Sequence, residues 1–151
     1  MTTFDYFDEC SVRADAALVF ATLSDLAKMG SWSPENTGGA WLDGAVCPSL
    51  GARFEGSNAR DGDEWSTIAT VTAFEPTQVF AFRVTYEEYD ISDWEFRVTP
   101  SDEGCVVRES WADRRPDFMR DEDAAAGFNR ADFTVSSIRT TLERLRDECE
   151  Q

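Results

Sequence analysis

Apolar residues recur at Phe128, Ala131, Val135, Ile138, Leu142, Leu145 and Cys149, always three or four positions apart. That spacing puts one stripe on an α-helix, because a turn takes about 3.6 residues. Asp132, Arg139, Glu143, Arg146 and Asp147 fill the opposite side and face water. The helix predicted over Phe128 to Cys149 therefore needs a surface on which to lay its stripe.

Upstream the period changes from helical to alternating. Segments Ala52 to Asn58, Trp65 to Phe74, Val79 to Tyr86, Ile91 to Thr99 and Cys105 to Trp111 read as strands. Phe80, Phe82, Val84 and Tyr86 share one face, as do Trp94, Phe96 and Val98. Asp61-Gly62, Glu75-Pro76-Thr77, the polar loop Glu87 to Asp90 and Asp102-Glu103-Gly104 supply turns, so the five form an antiparallel meander. Before them come an edge strand from Thr3 to Arg13, a short helix from Ala16 to Leu23 behind Asp15, and a turn through Met29 ended by Gly30. Ser31 to Gly51, rich in Gly, Pro and Trp, is predicted irregular, and a loop that long suggests function or the cover of a cavity mouth. Arg114 to Asp123 reads as a charged linker. The fold class is α+β: a curved antiparallel sheet around one long C-terminal helix, with two short helices after the first strand. Residues 1–151 form a single domain, a length that buries roughly two-thirds of its unfolded surface.

Composition narrows the chemistry. There is no histidine, which removes Ser-His-Asp and Cys-His triads, His-ligated metals and an imidazole acid or base near neutral pH. Cys10, Cys47, Cys105 and Cys149 are scattered without a CxxC pair, so no metal site and no cofactor are expected, and the thiols read as reduced. A formal charge of −16 opposes nucleic acid and anionic lipid surfaces. No apolar run is long enough to span a membrane, and the acidic start MTTFDYFDEC lacks signal-peptide features, so the expected location is cytoplasmic. Monomer and homodimer both stay open.

Three local patterns resemble the START-like superfamily, in particular its bacterial polyketide cyclase/dehydrase and lipid-transport (SRPBCC) branch. They are Trp32-Ser33-Pro34-Glu35-Asn36-Thr37-Gly38-Gly39-Ala40-Trp41, then Gly51 to Asn58 followed by Trp65-Ser66-Thr67, and Glu75-Pro76 leading to Phe80-Ala81-Phe82. The resemblance implies the helix-grip fold, with a cavity between sheet and long helix that opens near the loop after the short helices. It also implies a small-molecule ligand in that cavity. The iron-dependent oxygenase branch needs histidines, which this chain lacks.

The candidate ligand-binding residues are Trp32, Glu35, Trp41, Phe54, Trp65, Phe82, Trp94, Phe96, Trp111, Phe128 and Val135. Five tryptophans are many for this length, and a broad aromatic concavity accounts for them as well as core packing does. Asn58 reads as a hairpin residue. Glu109 alternates with Cys105, Val107 and Trp111, so its face is partly apolar. A carboxyl there is desolvated and suited to general acid or base work, unless Arg108, Arg97 or another neighbouring strand's arginine pairs with it. Asp93, Glu95 and Arg97 fall on the solvent face. Glu109, Tyr86 and Glu35 are the candidate catalytic residues. Three functions follow: a carrier or binder of a hydrophobic small molecule, a cyclase or dehydratase using carboxylate and tyrosine chemistry, and an acidic protein-interaction module.

Overall fold

The computed structural model describes residues 3–151. Strand β1 (Tyr6–Val12) leads into helix α1 (Ala16–Leu23) and a short 3-10 helix (Leu26–Ser31). Six strands follow: β2 (Asn36–Trp41), β3 (Arg53–Arg60), β4 (Asp63–Glu75), β5 (Val79–Tyr86), β6 (Tyr89–Ser101) and β7 (Gly104–Asp113). Helices α2 (Asp117–Ala125) and α3 (Arg130–Cys149) complete the chain. All seven strands lie in one antiparallel sheet of order β1-β7-β6-β5-β4-β3-β2. The sheet curves around α3 in the helix-grip arrangement.

Turn chemistry sets the register. Asp61 and Gly62 both take positive φ, and the two close a hairpin between Arg60 and Asp63 whose twist matches the strands. At Glu75-Pro76-Thr77-Gln78 the proline presets its own φ, while Thr77 takes φ 71° and the Gln78 amide donates to the Glu75 carbonyl at 2.8 Å. Register shifts between Val71 and Ala73 and between Val84 and Thr85 mark bulges, which bend strands and deepen the concave side.

Two expectations need correction. Asn36 to Trp41, assigned to an irregular stretch, is edge strand β2, paired with β3 from Asn58 to Phe54. Its two glycines and lack of alternation hid it, and backbone pairing with β3 makes up for its weak propensity. Asp117 to Ala125 is helix α2 rather than linker, with Pro116 just before it and no buried residue.

The long helix differs in part. Asn129 caps it, its side chain accepting from the Asp132 amide at 3.0 Å, so the helix starts at Arg130 and leaves Phe128 outside. Ile138, Leu142, Leu145 and Cys149 are buried as the stripe requires, but Ala131 and Val135 face solvent. Thr134 and Thr141 are buried in their place. The interior is thereby divided. Val12, Val19, Leu23, Phe80, Val98, Cys105 and Val107 are buried in the same core cluster as Ile138, Leu142, Leu145 and Cys149 of α3. There Ile138, Leu142 and Leu145 each contribute about 1.5–3 kcal/mol of burial. Under the N-terminal half lies a hollow.

Cys10, Cys105 and Cys149 are buried thiols and Cys47 is exposed. On the convex face Asp93 is buried rather than solvated. Arg83 (2.7 and 2.9 Å) and Arg114 (2.9 Å) cover it and hold its carboxyl below the usual range, the Arg83 hydrogen bond being the largest cause.

Gly104 joins β6 to β7 where β1 leaves the sheet. A Cβ there would lie 2.2 Å from the Val12 carbonyl oxygen, and φ is +152°. Gly104→Ala is expected to cost about 2 kcal/mol or more, lowering the melting temperature by roughly 4–8 °C. Thermal denaturation followed by circular dichroism checks this; an unchanged midpoint contradicts the packing described.

Candidate functional site

The hollow is a cavity of about 210 Å³ between the concave sheet and α3 from Arg130 to Thr141. Alternation along the strands decides its walls. Phe54 on β3, Trp65 on β4, Phe82 on β5, Trp94 and Phe96 on β6, and Trp111 on β7 all point inward, and Trp32 closes the side beneath the 3-10 helix. Phe54 and Phe82 meet edge to face at 5.3 Å between centroids, and Trp94 and Trp111 lie 6.4 Å apart. Ile91 and Ser92, adjacent at the β6 bulge, both reach the lining. The roof from α3 carries the hydroxyls of Thr134, Ser137 and Thr141 beside Phe133 and Arg130.

Two ion-pair clusters border the cavity. In one, Glu35 receives two hydrogen bonds from Arg130 (3.0 and 3.1 Å) and one from Arg60 (3.4 Å). The Arg60 guanidinium sits 3.6 Å from the ring centre of Phe128, so this cluster ties the β2 entry, the β3 end and the start of α3 together. In the other, Arg115 holds Asp113 (2.9 and 3.0 Å) and Asp123 of α2. Burial pushes the Asp113 carboxyl up, but the hydrogen bonds and charge of Arg115, with Arg120 nearby, bring it below its ordinary value.

Glu109 differs from every other acid in the cavity. It is 5 % exposed, and its Oε1 has no hydrogen-bond partner among the described residues. Neither expected arginine reaches it. Arg97 and Arg108 project from the convex face and pair with Glu95 (3.2 Å) and Glu9 (3.0 Å). On its own face Glu109 stands between Phe96 of β6 and Asp8 of β1, and Asp8 is bridged to Arg139 of α3 at 3.4 Å. Desolvation, then the nearby Asp8 charge, raises its carboxyl well above the ordinary range. The group is an uncompensated buried acid.

The structure brings together Trp32, Glu35, Phe54, Trp65, Phe82, Trp94, Phe96, Trp111 and Glu109. Four other candidates stand outside the lining. Trp41 packs edge-on behind Phe54, centroids 5.4 Å apart, because edge strand β2 places it in a second layer. Tyr86 is at a hairpin tip opposite Tyr89 and is exposed. Phe128 lies before the helix against Arg60, and Val135 faces solvent. Sequence reasoning missed the hydroxyl row Thr134, Ser137, Thr141, although its spacing of three and four was visible. It also missed Arg115, Asp113 and Asp123, which depend on α2 folding back. Asn58, inside β3 and paired with Trp65 rather than in the hairpin turn, lines the cavity as well. No group of three or more His, Cys, Asp and Glu side chains among the described residues is arranged to hold a metal ion. No helix among them is long and apolar enough to cross a membrane.

Comparison with known proteins places this architecture. Residues 8–150 match the family described as polyketide cyclase/dehydrase and lipid transport, and the chain belongs to that family. It is similar to the solution structure of the polyketide-cyclase-like protein Cgl2372 from Corynebacterium glutamicum. That match has 28% identity and a TM-score of 0.65, and covers 93% of this chain and 88% of the other. The di-domain aromatase/cyclase StfQ of the steffimycin biosynthetic pathway matches at 15% identity, TM-score 0.71, over 96% of this chain and 50% of its own. Ginseng major latex-like protein 151 from Panax ginseng matches at 12% identity, TM-score 0.72, over 97% of both chains. At those last two identities the likeness is one of fold. A search of curated proteins finds no match.

The state of Glu109 predicts a pH dependence. Between about pH 4.3 and its raised folded value, the unfolded chain ionises this residue while the folded chain keeps its proton. Its contribution is therefore complete at low pH and is lost as pH rises through the raised folded value. Glu109→Gln should remove that loss. The variant's melting temperature should exceed wild type by roughly 2–10 °C at pH 8, from a cost of about 1–3 kcal/mol, and by less at pH 5. Calorimetric scans across this range decide; a gap that does not change with pH rules the assignment out.

Proposed function

We propose that this protein binds a hydrophobic small molecule, of lipid or aromatic and polyketide-like character, between the sheet and α3. The observation that carries this reading is the cavity of about 210 Å³ walled by Trp32, Phe54, Trp65, Phe82, Trp94, Phe96 and Trp111. A cavity of about 150 Å³ already accepts a benzene ring, so this one takes a body of one or two rings. Aromatic walls give an apolar guest large contact area, and the neighbouring rigid sheet keeps the space from collapsing. The family's description, which joins cyclase or dehydrase members with lipid transport, supports the same reading.

A second reading, acid–base catalysis on a polyketide-like substrate, is favoured by one residue. Glu109 is a buried acid inside the cavity with no partner for Oε1. A carboxyl whose hold on its proton is strengthened by burial can donate that proton to a substrate oxygen, and once ionised it is a stronger base toward a carbon-bound proton. Tyr86 stands outside the cavity lining and Glu35 is bound by two arginines, so Glu109 alone carries this reading.

Four of the five tryptophans line the cavity, which gives an optical test. Titration with the neutral two-ring dye prodan should quench tryptophan emission in a saturable, one-to-one manner, and Trp41→Phe should leave the change intact. Ala69, 2 % exposed in the wall, offers the control: Ala69→Phe fills the space and should weaken binding at least tenfold. Unsaturable binding, or affinity indifferent to that substitution, speaks against a ligand in this cavity.

A further inference from the structure

Charge inside the cavity is unbalanced. Glu35, Glu109, Asp113 and Asp123 reach it, against the guanidinium groups of Arg115 and Arg130. Both guanidiniums are engaged, Arg130 by Glu35 and Arg115 by Asp113 and Asp123. Among the described residues, every guanidinium that lines the cavity is therefore already ion-paired. One acceptor does remain: Oε1 of Glu109, buried, facing the cavity and without a hydrogen-bond partner among the described residues. Its acidic neighbour Asp8 already has Arg139.

The surroundings of Glu109 suit a particular head group. Trp111 lies two residues along the same strand face, and Trp94 is paired with Trp111 across β6. Indole faces attract cations through their ring quadrupole. From α3 the hydroxyls of Thr134 and Ser137 add acceptors that carry no charge. An ammonium group has three donors and no acceptor, so a carboxylate with flanking hydroxyls complements it. The net charge of −16 also concentrates cations around the molecule.

We propose that Glu109 is the recognition residue for an apolar primary amine, bound as its ammonium with the nitrogen beside the carboxylate and the ring body against Trp94 and Trp111. This rests on reading the cavity as a ligand site and names the class of ligand. As the ammonium enters, the carboxyl proton leaves to bulk water, and the buried acid gains the counter-charge it lacks. A hydroxyl in that position makes a neutral hydrogen bond, roughly half as strong. A carboxylate there gains no counter-charge from Glu109.

Four probes with one naphthalene body separate the possibilities: 2-naphthylmethylamine, 2-naphthalenemethanol, 2-methylnaphthalene and 2-naphthoate. Isothermal titration calorimetry at pH 7 should show the amine binding about 10–100-fold more tightly than the methyl compound, the advantage of a charge-assisted hydrogen bond. The naphthoate should bind weakest. Glu109→Gln and Glu109→Leu should each abolish the amine's advantage while 2-methylnaphthalene still binds; either folded variant is sufficient. An alcohol that matches the amine, or an amine advantage that survives both substitutions, overturns the assignment to Glu109 and leaves the pocket standing. If none of the four binds, the pocket itself falls, and this inference with it.

Discussion

The two halves of α3 meet different surroundings, and the rest of the molecule depends on that difference. Toward the C-terminus, Ile138, Leu142 and Leu145 are almost fully buried against α1 and the sheet, and this contact holds the helix down. A straight helix cannot follow a sheet that curves away from it. Toward the N-terminus the gap opens, and the side chains on the inner face become Thr134, Ser137 and Thr141. The hollow is therefore a consequence of anchoring the helix at one end. Aromatic side chains on the strands line it without filling it.

Anchoring at one end leaves the other to be positioned by charge. Arg60 and Arg130 grip Glu35, while Arg115 joins Asp113 to Asp123. These pairs hold the start of α3 and the otherwise unburied helix α2 around the cavity. Half-buried ion pairs of this sort orient elements more than they stabilise them, since desolvation offsets much of the attraction. Glu109 stands apart from both clusters. A lone carboxyl in an apolar wall reduces stability, and such a cost concentrates where a protein meets its ligand.

Backbone pairing explains where sequence reasoning fell short. The limits of α1 and β5 were legible, because helical and alternating periods were clean there. Strand β2 was not, since Asn36 to Trp41 has neither alternation nor propensity and exists through hydrogen bonds to β3. Helix α2 was hidden by its charge, and its place is set by Arg115 and Arg120 reaching back to the end of β7. The aromatic candidates on strands mostly reached the cavity because a face, once inward, carries every second residue with it. Trp41, Tyr86 and Phe128 did not, lying at an edge, at a tip and just before a helix where that rule lapses, and Val135 sits on the solvent side of α3.

Local order was thus written in the chain: the meander, the long amphipathic helix, the absence of histidine chemistry and the partly apolar face of Glu109. Which sheet face curls inward, and how far α3 stands above it, came only with the tertiary structure. Periodicity states which residues share a side, but a cavity is what remains between surfaces that pack at one end and diverge at the other. The isolation of Glu109 has the same origin. Arg97 and Arg108 are its neighbours in the sheet, yet the pleat sends them to the opposite face.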